Sequence, residues 1–326
     1  MKLNKINKDN RGNIYIGIAS VLIISFLILS ICVLNLAIHN SQENLEDMSS
    51  DEFNYIIQDY KRNIAIVEKE AIKEVSEEVI DKKRPVSDSK EEIKKKCDEK
   101  LEELNEKYYN QYHIRIVSSI NSIENVSEPF DIRFKTYISS VMGDMNYKNI
   151  EENDINIEGL MDPIPFIYCG NGHGFSHNDT CVIYGESLSD YLKDKGVDGY
   201  EYYINATAPL IIRKCPYDPY KHHGDGFTMK TCRDSGYYHE SADGACYLCR
   251  LEGKSGCGHY GFETFINPQP TTLLNLTSAC GSDHVIFGDD TYPGIECIYY
   301  SHDGINEILF LDPNGHRVKY GMDRLI

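Results

Sequence analysis

The residues of this chain with the clearest chemical potential are cysteines, and they crowd towards the C-terminus. Cys246-Tyr-Leu-Cys249 forms a CxxC pair, and Cys257 with His259, or Cys232 with His239, stands near enough in sequence to complete a set of four. Thiolate sulfur and imidazole nitrogen are the usual ligands of structural zinc, and a CxxC knuckle lets two thiolates reach one ion. The same thiols would form disulfides in an oxidising compartment.

The compartment therefore decides between these two chemistries, and the N-terminal segment predicts it. From Ile14 to Ile38 there are 25 consecutive uncharged and mostly apolar residues, whereas roughly 20 suffice to span a bilayer. Basic residues precede this run, and residues 39–60 hold six acids and no Lys or Arg. The positive-inside rule then places the N-terminus in the cytoplasm and the bulk of the chain outside. We predict a single-pass protein of the cell membrane, since the apolar run is too long for a cleaved signal.

On that topology we interpret the cysteines beyond the membrane segment as disulfide candidates and expect no metal or other cofactor. The candidates are Cys97, Cys169, Cys181, Cys215, Cys232, Cys246, Cys249, Cys257, Cys280 and Cys297. The alternative is a zinc site built from Cys246, Cys249, Cys257 and His259. The remaining histidines show no spacing that aims two of them at one atom, so we interpret them as surface or turn residues. The same interpretation applies to distal acids such as Asp283.

Two helices are predicted between the membrane segment and residue 112. A serine followed three residues later by glutamate, the pattern of a capping box, occurs at Ser49 and again at Ser89. Apolar residues then recur at spacings of three and four over residues 53–79 and 93–108. Pro85 separates the two runs, because proline disfavours helical geometry in the residue before it. The pattern predicts an antiparallel helical hairpin, which we interpret as a stalk.

Beyond residue 112 the pattern favours strands. Residues 113–120 and 130–139 alternate in polarity or are rich in β-branched side chains. Near the C-terminus, residues 296–300, 305–311 and 316–320 are separated by Asp-Gly and Asn-Gly pairs, which favour tight hairpin turns. We therefore predict a three-stranded meander at the end of the chain.

Together these elements predict an α+β protein. An N-terminal transmembrane helix and a helical stalk hairpin are followed by a disulfide-rich, mainly antiparallel β domain. The predicted segments are a cytoplasmic basic leader (1–12), the transmembrane helix (13–38), the stalk (39–112), a strand-containing connector (113–160) and a Cys-, Tyr- and Gly-rich extracytoplasmic β domain (161–326).

The start of the chain resembles the leader of type IV prepilins. Lys8 and Arg11-Gly12 stand directly before the unbroken apolar helix. The resemblance implies that a peptidase cuts after Gly12, that Asn13 becomes the first residue, and that the helix packs against sister helices in a filament. Gly17 stands where most pilins carry glutamate, which fits a minor or atypical pilin-like protein. The segment 308–316 is similar to the terminal strand and turn of pseudopilin-like proteins, and the cysteine-rich outer part suggests an archaeal surface protein.

The resulting hypothesis is structural and not enzymatic: a minor pilin-like filament or adhesion component. Membrane lipid and other pilin-like subunits or envelope proteins would be its partners. A formal net charge of −18 disfavours nucleic acid, because like charges repel. The nucleophile-elbow, metalloprotease and P-loop motifs are absent from the sequence. The alternative is a membrane-tethered zinc-binding module or zinc hydrolase that uses the Cys/His cluster. Glycosylation candidates on the outer side are Asn125, Asn178, Asn205 and Asn275.

Overall fold

The computed structural model describes residues 22–36, 49–170, 176–177, 180–197, 200–217, 223, 227–268, 281–288, 297–302, 305–310 and 316–320. Over these residues the protein combines helices with antiparallel sheets, which confirms the α+β class. The helices are α1 (22–36), α2 (Ser50–Lys82), α3 (Ser89–Tyr112), α4 (Ile164–Cys169), α5 (Ser187–Asp194), α6 (Phe227–Ser235), α7 (Tyr247–Leu251), α8 (Asp283–Ile286) and α9 (His316–Lys319). The strands are β1 (Arg115–Asn125), β2 (Asp131–Met142), β3 (Met145–Asn156), β4 (Ser176–His177), β5 (Cys181–Ile183), β6 (Thr207–Pro209), β7 (Tyr238–Ser241), β8 (Gly261–Ile266), β9 (Gly281–Ser282), β10 (Cys297–His302) and β11 (Ile305–Phe310).

The predicted membrane segment is described only in part. Helix α1 covers residues 22–36, and its large apolar side chains are exposed. Within the described ranges, no helix combines the length and the apolar character that a bilayer crossing requires. Residues 1–21, which include the leader 1–12 with Gly12 and the residue Asn13, and residues 37–38 at the end of the predicted segment lie outside the described residues.

The helical hairpin forms as predicted. At the start of α2 the Ser49 hydroxyl accepts from the Glu52 amide (3.2 Å), and the Glu52 carboxylate accepts from the Ser49 amide (3.1 Å), which completes the capping box. The second cap falls one residue earlier than predicted, because Asp88 accepts from the Glu91 amide (3.0 Å). Ser89 is thereby free to begin the helix and to donate its hydroxyl proton to Glu252 (2.8 Å).

The hairpin lies on a three-stranded sheet of order β1-β2-β3 and is part of this packed layer, not a separate stalk. Both apolar runs are buried, and one core joins them to the sheet and to the region of Cys246 and Phe262. Strands β1 and β2 match the prediction. No sequence pattern indicated β3, whose residues Met145–Asn156 are mostly polar because one face of the strand meets solvent.

Glu68 is a carboxyl group in this helix–sheet core. It is fully buried on α2, where it accepts from the Thr136 hydroxyl (2.6 Å) and the Asn153 amide (2.9 Å). Burial raises the pKa of Glu68 from 4.5 to about 7. The folded state therefore holds an extra proton between these two values, so the free energy of unfolding falls as the pH rises through this window.

We expect Glu68→Gln to flatten this pH dependence and to raise the free energy of unfolding at about pH 8 by up to about 3 kcal/mol. The amide stays neutral at every pH, and it can donate to Thr136 while it accepts from Asn153. Urea unfolding between about pH 5 and pH 8 measures the slope. Glu70→Gln, at an exposed position of the same helix, is the control that should leave the slope unchanged. A wild-type slope in the Glu68 variant would contradict the prediction.

The C-terminal hairpin is confirmed and the third strand of the predicted meander is wrong. Strands β10 and β11 pair from Cys297↔Phe310 to His302↔Ile305. His316–Lys319 form the short helix α9 instead of a strand, and the Tyr320 amide donates to the His316 carbonyl (3.0 Å). A helical turn places residues four apart on one side, so both the His316 ring and the Tyr320 hydroxyl reach Glu263.

Candidate metal centres

Three groups of potential metal ligands converge in the distal part of the protein. Within each group the ligand atoms all lie within 4.8 Å of one another. We name them the knuckle cluster (Cys246, Cys249, Cys257, His259), the strand cluster (Cys215, His223, Cys232, His239) and the carboxylate cluster (Glu263, His284, His316).

The knuckle cluster consists of the four residues of the sequence-based zinc alternative. Cys246 caps the N-terminus of α7 and Cys249 lies within that helix, while Cys257 and His259 belong to the loop before β8. His259 Nδ1 lies 3.6 Å from Cys246 Sγ and 3.5 Å from Cys249 Sγ. Zinc–sulfur bonds of about 2.3 Å and zinc–nitrogen bonds of about 2.0 Å in a tetrahedron place sulfur and nitrogen about 3.5 Å apart. The observed separations therefore match two edges of a zinc tetrahedron.

Close backbone packing holds the knuckle in place. The Cys246 amide donates to Cys257 Sγ (3.4 Å), which ties the helix start to the following loop. A Cβ atom at Gly261, the first residue of β8, would lie 2.4 Å from the Ala245 carbonyl carbon and 2.6 Å from the Cys246 nitrogen. Only glycine allows the strand to approach the knuckle this closely.

Hydrogen bonds among the three thiols of the knuckle cluster give these thiols different pKa values. The thiols of Cys246 and Cys249 lower the pKa of Cys257 well below its ordinary value. The pKa of Cys246 is raised chiefly because its thiol donates to Cys249 and Cys257. Cys257 thus forms a thiolate readily. Since the thiolate is the form that binds metals, Cys257 can be the first ligand to bind a metal ion.

The strand cluster joins four buried residues from separate elements. Cys232 lies on α6, His239 on β7, and Cys215 and His223 in the connecting chain. Cys215 Sγ is 3.2 Å from Cys232 Sγ, and His223 Nε2 is 3.1 Å from Cys232 Sγ and 3.2 Å from His239 Nε2. Hydrogen bonding from Cys232, and then from His223, lowers the pKa of the Cys215 thiol to about 3 despite burial. The cluster therefore offers a thiolate, a second thiol and two imidazoles around one point.

Strand pairing sets the strand cluster beside the carboxylate cluster. His239 on β7 is the direct antiparallel partner of Glu263 on β8, and directly opposite residues project from the same face of a sheet. The Tyr320 ring lies between the two clusters, 5.4 Å from the His223 ring and 5.3 Å from the His239 ring. Helix α9 thus supplies His316 to the carboxylate cluster, and Tyr320, the residue that follows the helix, contacts the strand cluster.

A buried ion-pair network connects the knuckle helix to the carboxylate cluster. Arg250 on α7 contacts Asp162 (2.6 Å) and Asp283 (2.8 Å), and the three side chains are at most 4% exposed. Its guanidinium also donates to the Phe262 carbonyl (2.6 Å) and lies 4.3 Å above the Phe262 ring. Asp283 precedes His284 and accepts from its amide (2.9 Å). Arg250 therefore couples the position of the CxxC helix to that of His284.

Comparison with known proteins adds no identification. No family model matches the chain, and no curated protein and no solved structure is significantly similar to it.

Several predicted site residues take positions that the sequence did not indicate. The surface interpretation is wrong for His223, His239, His316 and Asp283, which are all buried. Cys232 and His239 do form one cluster, but it is separate from the CxxC pair. The register between β7 and β8 places His239 beside Glu263, and no local sequence motif predicts this register.

The disulfide and glycosylation candidates stay predictions. Nine of the ten cysteines in the described residues, including Cys32 of α1, are thiols. Among the candidates, Cys97 and Cys169 are buried in α3 and α4, and Cys181 is half-buried on β5. Cys280 lies outside the described residues, and Cys297 begins β10. Of the sequons, Asn205 is exposed, Asn125 is half-buried at the end of β1, and Asn178 and Asn275 lie outside the described residues.

Proposed function

We propose that this chain is a zinc-binding protein whose distal part is organised around two structural zinc ions, one in the knuckle cluster and one in the strand cluster. The observation that carries the proposal is the convergence of four ligand atoms in each cluster, with sulfur–nitrogen separations close to those of a zinc tetrahedron.

Zinc accounts for these side chains better than disulfides do. The knuckle cluster holds three thiols, so any single disulfide within it leaves one cysteine and His259 without a role. In the strand cluster the two sulfurs are 3.2 Å apart, well beyond the roughly 2.05 Å of a disulfide bond, and two imidazole nitrogens lie beside them. A metal ion uses all four residues of each cluster.

The role of both ions is structural. Four protein ligands close the coordination shell of a tetrahedral zinc, so no position is left for a substrate. The elements that carry the ligands are short, from four residues in β7 to nine in α6. Such short elements bury little apolar surface for each residue that they order, and metal binding contributes the missing folding free energy.

We also propose that residues 14–38 tether this module to the membrane, with the N-terminus cytoplasmic and the distal part outside. The uncharged run and its basic flank support this topology. Zinc would occupy five of the ten disulfide candidates, which leaves Cys97, Cys169, Cys181, Cys280 and Cys297 as the disulfide candidates of an extracytoplasmic chain. A minor pilin-like subunit is the second candidate function, and Arg11-Gly12 directly before the helix favours it.

The test uses the full chain, extracted from membranes with detergent and without reductant. We expect two equivalents of zinc that a mercurial thiol reagent releases, and five thiols that become reactive when the metal leaves. Intact mass with and without reduction counts any disulfide by the pair of hydrogens that each bridge gains, and it reports whether residues 1–12 have been removed. Absence of zinc, together with reduction-dependent mass gains that account for the five ligand cysteines, would overturn the proposal.

A further inference from the structure

The carboxylate cluster lies in neither of the two proposed zinc sites and contains no cysteine. Glu263 comes from β8, His284 from α8 and His316 from α9. The Glu263 side chain is fully buried, and those of His284 and His316 are 9% and 5% exposed. Residues up to 53 positions apart in sequence thus meet in one small, nearly enclosed volume.

The three ligand atoms form a nearly equilateral triangle. Glu263 Oε2 lies 2.8 Å from His284 Nε2 and 3.0 Å from His316 Nε2, and the two Nε2 atoms are 3.0 Å apart. Ligands at about 2.1 Å from one ion, with about 90° between their bonds, lie about 3.0 Å apart. The triangle therefore has the dimensions of one face of a metal coordination shell.

This face is held by a second layer of contacts. The Ser241 hydroxyl donates to Glu263 Oε2 (2.9 Å), and the Tyr320 hydroxyl donates to Oε1. Asp283 accepts from the His284 amide and from the Thr264 amide (3.0 Å), which fixes α8 against β8. Such outer contacts orient metal ligands.

Charge indicates which further ligand the site would take. Lys319 lies 3.0 Å from Glu263 Oε2 and compensates the single carboxylate of the cluster. Because Lys319 already balances the charge of Glu263, the positive charge of a bound divalent ion would stay uncompensated. In a site of low polarity an anionic ligand stabilises such a charge.

We propose that Glu263, His284 and His316 form a third metal site, which binds a first-row divalent ion on one face and leaves positions open for water or an oxygen-donor anion such as phosphate. Three protein ligands with open positions are the arrangement of reactive metal sites, in contrast to the closed four-ligand sets. Lys319, 16% exposed, lies at the more accessible side of the cluster and attracts the anion.

Metal counting tests the site in the full chain. After loading with zinc and removal of weakly bound metal, the wild-type protein should hold one equivalent that the mercurial reagent does not release. His284→Gln and His316→Gln should each lose this equivalent and keep the mercurial-sensitive zinc, which also shows that they fold. His113→Asn, at an exposed histidine that caps α3, is the matched control and should keep it. A wild-type protein without mercurial-resistant metal, or both glutamine variants with it, would overturn the proposal.

The open position has its own test. With zinc in the cysteine clusters, cobalt(II) placed in the third site should change its visible absorption when inorganic phosphate is added, and His316→Gln should show no such change. A cobalt spectrum that phosphate leaves unaltered would refute the open position. Because the readout involves no cysteine, a failure of the two proposed zinc sites leaves it interpretable: the protein would then hold a single, mercurial-resistant metal.

Discussion

Cys249→Ser is expected to lose one equivalent of zinc and to lower the free energy of unfolding by more than about 4 kcal/mol, far above the roughly 1 kcal/mol of a typical point mutation. Serine occupies nearly the same volume, but its hydroxyl does not replace the thiolate at zinc. Structural zinc contributes an apparent 10–16 kcal/mol or so to the folding of isolated zinc-finger peptides, whereas a whole domain is stable by only about 5–15 kcal/mol. The neighbours Tyr247, Leu248 and Leu251 are part of the main core, so the effect of losing the knuckle spreads beyond it.

Zinc analysis and thermal unfolding measure this effect on the same preparation. The matched control is Cys181→Ser, because Cys181 is a half-buried cysteine of β5 outside the three clusters. The control should retain the wild-type zinc content. In addition, a chelator should lower the wild-type unfolding temperature towards that of the Cys249 variant. The prediction fails if Cys249→Ser retains its zinc or if the chelator leaves the wild-type unfolding temperature unchanged.

The second large effect is expected at Arg250. Arg250→Met should lower the free energy of unfolding by about 3–5 kcal/mol, because it leaves two buried carboxylates without their cation. Asp162 and Asp283 are 1% and 4% exposed, so water cannot replace the guanidinium. The methionine also loses the hydrogen bonds to the Ala245 and Phe262 carbonyls. Urea unfolding at about neutral pH measures the change.

Two further variants show whether the uncompensated charge is the cause. Adding Asp283→Asn to Arg250→Met removes one stranded carboxylate and should recover part of the loss. Arg133→Met breaks a bidentate ion pair with Asp154 that lies at the surface, and it should change the unfolding free energy little, since water solvates the remaining acid. An equally large loss at Arg133, or none at Arg250, would show that burial of the charges is not what matters.

The Arg250 network also connects the knuckle cluster to the carboxylate cluster. The guanidinium joins helix α7, which carries Cys249, to Asp283, whose carboxylate positions the His284 amide. Arg250→Met should therefore weaken metal binding at the carboxylate cluster as well as the fold. The two effects share one cause, because Asp283 cannot hold its place beside an empty cationic position in the core.

Local features of the structure follow from the sequence. The caps at Ser49 and near Ser89 and the apolar runs over residues 53–79 and 93–108 specify α2, α3 and their buried faces, because each rests on interactions within a few residues. Strands β1 and β2 and the β10–β11 hairpin follow for the same reason. The knuckle cluster could be proposed because its four ligands lie within 14 consecutive residues.

Features that depend on distant contacts could not be predicted. Strand β3 has few apolar residues, so only pairing with β2 identifies it. No sequence pattern singled out Glu68, which the sheet covers and supplies with Thr136 and Asn153 as donors. His316 was expected on a strand, but it lies on the helical turn α9, where its ring contacts Glu263.

The sequence by itself determined the helical hairpin, the strands that follow it, and a chain rich in thiols and imidazoles. Only the tertiary structure decided which of those groups share a site. The antiparallel register of β7 and β8 sets His239 beside Glu263, and packing of α8 and α9 brings in His284 and His316. The physical reason is that capping and periodicity act between neighbours in the chain, whereas a metal centre needs lone pairs from separate elements directed at one point.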